Sequence, residues 1–274
     1  MLSDMTRPEA DAVLDQAVLT HWGDLATTDF DRLAGRRPVA VLALGAIEQH
    51  GPHLPLATDR IIGEGLLAAA AERLDADFPL LALPTLALGA SDEHAEFAGT
   101  LSLTAEQMHH QLLAIGSGVA RAGVDRLVLV NAHGGNIGLM DGAALALRRA
   151  RGMLVVKASY MRFEPPGDLL AARELRDGLH GGLAETAMMR HLAPELVRMD
   201  RAECFDSRQP NEKALAPQGE AAWAWLAGDL NPAGVVGDAA SATPQLGADL
   251  VAYYSGRLAE VLEQARSMAW PPAG

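Results

Sequence analysis

Four short runs of apolar residues constrain this chain more than any other feature. They are "RPVAVLALG" (37–45), "PLLALPTLALG" (79–89), "VDRLVLVNAHGGN" (124–136) and "GMLVVKASY" (152–160). The first is bounded by Arg-Pro and Gly, and the others repeat its pattern. A run that is apolar at consecutive positions, not at alternate ones, belongs to a strand covered on both faces. Helical patterns lie between the runs. Residues 60–74 are rich in Ala and Leu, and residues 105–122 follow Thr104 with Gln107 three on, the spacing of a capping box. Asn136 stands where an N-cap belongs for a helix reaching about residue 150. Strands that alternate with helices predict an α/β fold with a mainly parallel sheet covered on both faces.

Beyond residue 160 the pattern loosens into a loop candidate, followed by a helix near residues 182–193. Pro and Gly punctuate residues 208–247, and a last amphipathic helix, about 247–266, carries Leu250, Tyr254, Leu258, Val261 and Leu262. With no internal repeat or long linker, residues 1–274 read as a single domain.

Charge narrows the partners. A formal net charge of −13 repels phosphate backbones, which argues against nucleic acid. The one short basic run, Arg148, Arg149 and Arg151, closes a predicted helix, where cations suit the dipole. Cys204 is the single cysteine, so no internal disulfide forms. The first residues carry acids early and lack the apolar stretch of a signal peptide, and no segment approaches the ~20 apolar residues that span a bilayer. The expectation is a soluble cytoplasmic protein without membrane contact.

Parallel sheets place their sites outside the carboxyl ends of the strands, and the polar clusters of this chain fall there. Glu48 and His50 follow the first strand two apart, so continued extension points both into one space. Asp59 precedes a helix and can loop back toward them, although an N-cap role would also explain it. A carboxylate, an imidazole and a second carboxylate suit zinc, manganese or iron. His133 lies in "NAHGGN", where Gly134 and Gly135 allow close approach of backbone or substrate. "HGGLAET" supplies His180, a candidate acid/base group, and Glu185, whose place in a first helical turn the helix dipole alone could explain. Together Glu48, His50, Asp59, His133 and Glu185 are five candidate ligands, enough for two metals sharing a carboxylate. His94 stands among Asp92, Glu93 and Glu96 in a loop candidate, whereas His21, His109, His110 and His191 read as structural or exposed. No G-x-S-x-G elbow supports a serine nucleophile, and no Lys follows the glycine turn as in a nucleotide-binding loop.

These blocks resemble the creatininase (creatinine amidohydrolase) family. "GAIEQHGPHLPLATD" (45–59) resembles its first metal-binding block, "GASDEHAEFAGTLSL" (89–103) its substrate-side loop, "NAHGGN" (131–136) its second metal block and "HGGLAETAMM" (180–189) its third. "GVVGDAASATPQLG" (234–247) is the last recognisable piece, so the resemblance runs from about Trp22 to the final helix. It implies a three-layer α/β/α sandwich, two divalent metal ions per subunit and a homo-oligomer, commonly a hexamer. By position, Glu48, His50, Asp59 and His133 would be ligands with Asp59 bridging, and His180 would protonate the leaving nitrogen. His94, Gly134 and Gly135 would face the substrate.

Creatininases proper carry a Tyr-Glu pair at the Gly134-Gly135 position, and its glutamate is a ligand. Here Glu185, a catalytic candidate beside His180, would fill that place. Leu179 precedes His180 where creatininases proper have an acid, and residues 152–182 contain no Trp, which argues against creatinine itself. His53 is expected to pack behind the ligands. The expected function is metal-dependent hydrolysis of a C–N bond in a small cyclic amide, formamide or short peptide by metal-activated water. The alternatives are hydrolysis of a cyclic keto-sugar, or metal binding in an assembly without catalysis.

Overall fold

In a computed structural model of the chain, which describes residues 19–33, 35–208, 215–218 and 220–271, the apolar runs become neighbouring strands. The central sheet contains β1 (Leu19–His21), β2 (Val39–Leu44), β3 (Leu80–Ala82), β4 (Arg126–Asn131) and β5 (Leu154–Ser159). Its order is β1-β3-β2-β4-β5, and all its pairs are parallel. The expected parallel sheet is therefore present, with β1 added at one edge. That three-residue strand carries Thr20 between Leu19 and His21 and lacks the long apolar run that marks the others.

The two faces of β2 are separated by alternation. Ala40, Leu42 and Leu44 join Leu127 and Leu129 of β4 in one core with Met108, Leu112, Met140 and Leu147. Those four come from α3 (Ala105–Arg121) and α4 (Ile137–Arg151). Val39, Val41 and Ala43 face the other way, onto Leu67, Ala70, Leu258 and Leu262. These belong to α2 (Thr58–Ala71) and α8 (Pro244–Ser267). Burying one such leucine contributes about 2 kcal/mol, so both faces of β2 are strongly specified. The result is the three-layer α/β/α arrangement. A third helix, α6 (Leu183–Leu192), packs against α2 and α8 near the carboxyl end of the sheet.

The remaining helices are short: α1 (Asp29–Leu33), α5 (Ala172–Asp177) and α7 (Ala227–Leu230). Two small ladders complete the fold, β6 (Cys204–Phe205) with β9 (Gly237–Asp238), and β7 (Leu215–Ala216) with β8 (Ala221–Ala222). The segment expected as loop, 162–182, contains α5 and the end of a tight turn at Tyr160–Arg162. The last helix starts at Pro244, where Thr243 accepts a hydrogen bond from the Leu246 N–H, and Pro suits a first helical turn.

The capping box is formed: Thr104 Oγ1 accepts from the Gln107 N–H at 3.2 Å and Gln107 Oε1 accepts from the Thr104 N–H at 2.9 Å. Asn136 is a correction. It has helical φ and ψ of −73° and −22° and makes no side-chain cap. Its amide instead donates to the Gly45 carbonyl and to Asn131 Oδ1 and accepts from the Ala90 N–H, all at 3.1 Å. The expectation for the N-terminal segment falls on residues outside the described ones. Among the described residues no helix is long and apolar enough to cross a membrane.

Candidate metal centre

After β2 the chain turns to α2 on one face, and after β3 it crosses to α3 on the other. The crevice between the ends of β2 and β4 is the switch point of such a sheet. Glu48 and His50 reach it from the β2 end and His133 from the β4 end, and all three are buried. Asp59 arrives in the first turn of α2 and is 2% exposed. Its carboxylate therefore points into the cluster, and no side-chain cap is present on that helix.

Hydrogen bonds on the far side of each imidazole fix which nitrogen faces the carboxylates. His133 Nε2 lies 2.8 Å from the Ala90 carbonyl, which accepts its proton, so Nδ1 turns inward. That Nδ1 is 3.3 Å from Glu48 Oε1 and 3.2 Å from Asp59 Oδ2. His50 Nδ1 donates to the Glu48 carbonyl at 3.2 Å, leaving Nε2 3.1 Å from Asp59 Oδ1 and 4.0 Å from Glu185 Oε2. Asp59 thus presents one oxygen to each imidazole. The two triads, His133 with Glu48 and Asp59, and His50 with Asp59 and Glu185, share it.

Asn131 holds the His133 backbone in place. Its Nδ2 donates to the His133 carbonyl at 2.7 Å and its Oδ1 accepts from the His133 N–H at 3.3 Å. Glu185 sits in the first turn of α6 without capping it: its Oε2 accepts at 2.6 Å from the N–H of Gly181, which lies one residue before the N-cap Gly182, while Tyr160 donates to Oε1 at 3.3 Å. The bond to Gly181 and the approach to His50 use the same oxygen, Oε2.

The electrostatics are those of a site built for positive charge. Burial alone would depress the His50 imidazole, but Asp59 beside it pushes it up to about 10. His133 is likewise raised well above its ordinary value, against burial, by Glu48 and Asp59. Burial works to raise the Glu48 carboxyl, and His133 holds it down at about 2. Asp59 also opposes a burial penalty and is held far below the usual carboxylate range by His50 and His133. Glu48 Oε1 and Oε2 and Asp59 Oδ2 are buried with no aligned hydrogen-bond donor. A buried carboxylate oxygen without a donor is costly, and a cation coordinated there satisfies it. The ligand atoms of Glu48, His50 and Asp59 lie within 4.8 Å of one another, as do those of His50, His180 and Glu185, of Glu48, His94 and His180, and of Glu48, Glu93 and His133, an oxygen and nitrogen donor set that fits divalent zinc, manganese or iron.

Two more histidines border the cluster, their rings tilted against their neighbours. The His180 ring centroid is 4.2 Å from that of His50 and 4.2 Å from that of His94. His180 Nε2 donates to the Gln49 carbonyl at 2.8 Å, so Nδ1 looks toward Glu48 Oε1 at 3.7 Å. Burial and the neighbouring His50 lower its pKa. His94 is lowered to about 3 by burial and by His180, and faces Glu48 Oε1 at 3.5 Å. His53 stands behind, bonded to the Gly181 carbonyl at 3.1 Å and Thr186 Oγ1 at 2.9 Å.

Three residues that sequence reasoning does not select also matter. Gln49 Nε2 donates to the Gly234 carbonyl at 2.6 Å and to His94 Nδ1 at 2.8 Å. The alternation that aims Glu48 and His50 inward sends Gln49 the other way, a signal the sequence does carry. Glu93, 22% exposed, lies 3.8 Å from His133 Nε2 on the more open side. Asn136, expected as a cap, braces the turn instead.

Gly135 is where close approach decides the residue type. A Cβ there would lie 2.2 Å from the Ala90 carbonyl oxygen, 2.6 Å from His133 Nε2 and 2.7 Å from Glu93 Oε1. A side chain at this position would displace His133. Gly134, in contrast, faces open space. Arg60 pairs with Glu64 at 2.7 Å on the outside of α2. A cavity of about 790 Å³ lies beyond the pairing of His180 with Val236. It is lined by Glu174, Leu179, Cys204 and Val236 among others, and by none of the five candidate ligands.

Comparison with known proteins agrees with this geometry. The profile of the creatininase family, described as creatinine amidohydrolase, matches residues 23–262. The chain is 36% identical over 228 residues to the mycofactocin precursor peptide peptidase of Mycobacterium ulcerans (strain Agy99), covering 81% of this chain and 83% of that protein. It is 32% identical over 198 residues to the creatinine amidohydrolase of Pseudomonas putida, covering 65% and 74%. A crystal structure of creatinine amidohydrolase (creatininase) superposes with a TM-score of 0.76 at 26% identity, covering 94% of this chain and 100% of that one.

Proposed function

The chain belongs to the creatininase family and is a metal-dependent amidohydrolase, and from that premise we propose that it hydrolyses an amide bond in a short peptide. The observation that carries this reading is the division of Asp59 between two imidazoles, beside a Glu48 carboxylate that lacks any aligned donor. Glu48, Asp59 and His133 would hold one divalent ion, and His50, Asp59 and Glu185 the other. Bound there, two divalent ions supply a hydroxide near neutral pH and polarise a carbonyl.

The rest of the reaction falls to side chains and backbone. An amide nitrogen leaves poorly as an anion, so it needs a proton as the bond breaks. His180 Nδ1, turned toward Glu48 by the bond from Nε2 to the Gln49 carbonyl, would give it. Its lowered pKa makes it a ready donor once protonated. Main-chain N–H groups of Gly134 and Gly135 would face the developing oxyanion. His94 and Glu93 border the same space and would contact the substrate. The absence of an acid at Leu179 and of Trp in residues 152–182 disfavours creatinine, and the peptide reading takes support from the relative with greater coverage.

The test is metal content and turnover together. Purified protein is expected to hold zinc, manganese or iron at two ions per chain, and Asp59→Asn is expected to lose both. Against a library of N-acetylated pentapeptides with creatinine as comparison, His180→Ala should keep the metal and lower kcat by about 100-fold. Turnover unchanged in His180→Ala would remove it as the acid, and protein without metal affinity would end the reading.

A further inference from the structure

One buried carboxylate lies outside the cluster and has no part in the reaction as described. Glu174, in α5, is 8% exposed. Its Oε1 accepts from the Leu183 N–H at 2.7 Å, and its Oε2 from the Asp238 N–H at 3.3 Å. Leu183 is the first residue of α6, and Asp238 lies in β9. One side chain therefore joins three segments.

The space for it is cleared by glycine on three sides. A Cβ would stand 2.1 Å from Glu174 Oε1 if placed on Gly178, 2.6 Å if on Gly182, and 3.0 Å if on Gly237. An ionised carboxylate accepts only, so it can bind converging N–H groups that no neutral side chain of this size would satisfy as well. His180 sits between the tied points. It exchanges both backbone hydrogen bonds with Val236, N–H to carbonyl at 3.4 Å and 2.8 Å, next to the strand that Glu174 holds. A plain helix cap would bond α6 alone. The second bond, to β9, fixes the His180 loop against its partner strand.

We propose that Glu174 is a positioning residue that sets the His180 ring against Gln49 and Glu48 by tying the start of α6 to the strand following Val236. The proposal rests on His180 being the proton donor. Misplacing a reacting group by about an ångström costs up to about 100-fold in rate, with little effect on the ground state.

Glu174→Gln and Glu174→Ala are compared, each alone and with His180→Ala, in zinc-loaded protein. Glu174→Ala should lower kcat on the pentapeptide library by about 30-fold, with KM and zinc content within about twofold. Glu174→Gln should be intermediate, because its amide oxygen still accepts from Leu183. In the His180→Ala background neither change should reduce kcat further. Imidazole ¹H–¹⁵N spectra should show one His180 tautomer, protonated at Nε2, in the wild type and a mixture in Glu174→Ala. Losses that add to His180→Ala, or an unaltered His180 tautomer, would overturn the proposal. If Glu174→Ala does not fold, Glu174→Gln and its spectrum decide the same question. Failure of His180→Ala to affect kcat would refute the assigned acid instead, while the tautomer still reports on Glu174.

Discussion

Individual side chains in this protein are held by what lies behind them. His53 is fully buried and keeps a pKa of about 4, lowered by burial against the opposing bond to the Gly181 carbonyl. The folded protein therefore declines a proton that the unfolded chain accepts below about pH 6.5, and stability falls as pH drops from there toward about 4. Urea midpoints of metal-free protein between pH 7 and pH 4 should show that slope, to which the lowered His94 and His180 also contribute, and His53→Gln should make it shallower. Gly135→Ala makes a different prediction. Its methyl meets the Ala90 carbonyl and His133 Nε2, so metal content should fall and global stability should drop by about 1–3 kcal/mol. Native metal content in that variant would mean that the turn gives way more easily than its packing implies.

At the scale of elements, strands are easier to read than the joints between them. Consecutive apolar residues mark β2 and β4 because both faces of each are covered, and that burial leaves a trace at every position. The edge strand β1 pairs on one side only and leaves no such trace. Thr104 and Gln107 are legible because a capping box is local, its partners three residues apart. Asn136 misleads because its partners, Gly45 and Ala90, are remote in sequence. The same contrast divides the site. Glu48 and His50 announce themselves by alternation after a strand, whereas the contact of Glu93 with His133 exists only once two loops have met. Thr104→Ala should cost about 1 kcal/mol in thermal or urea unfolding and leave metal binding unchanged. A loss of metal with it would show that α3 and the site are coupled in a way the packing does not suggest.

At the scale of the whole molecule, protons and a metal ion would compete for the same side chains. Without a cation, His50 keeps its proton up to about pH 10 and His133 is raised as well, each held by the carboxylates that would otherwise be ligands. Binding must expel those protons, so zinc uptake at about pH 7 should release about two of them and apparent affinity should rise with pH. Calorimetry in buffers of different ionisation enthalpy measures the number directly. Release of none would mean that imidazoles are not ligands.

The five candidate ligands reach the crevice from the ends of β2 and β4 and from the first turns of α2 and α6, with the crossover helices lying between them in the chain. Bonds from one ion to His133 or Glu185 as well as to the Glu48–Asp59 segment would close long loops, and a closed loop has fewer ways to open. Chelation should therefore be felt far from the metal as faster amide exchange, at the strand ends and at the starts of α2 and α6 together. A protein so built would give up its ion by loosening in several places at once, and its fold and its cofactor would share one clock.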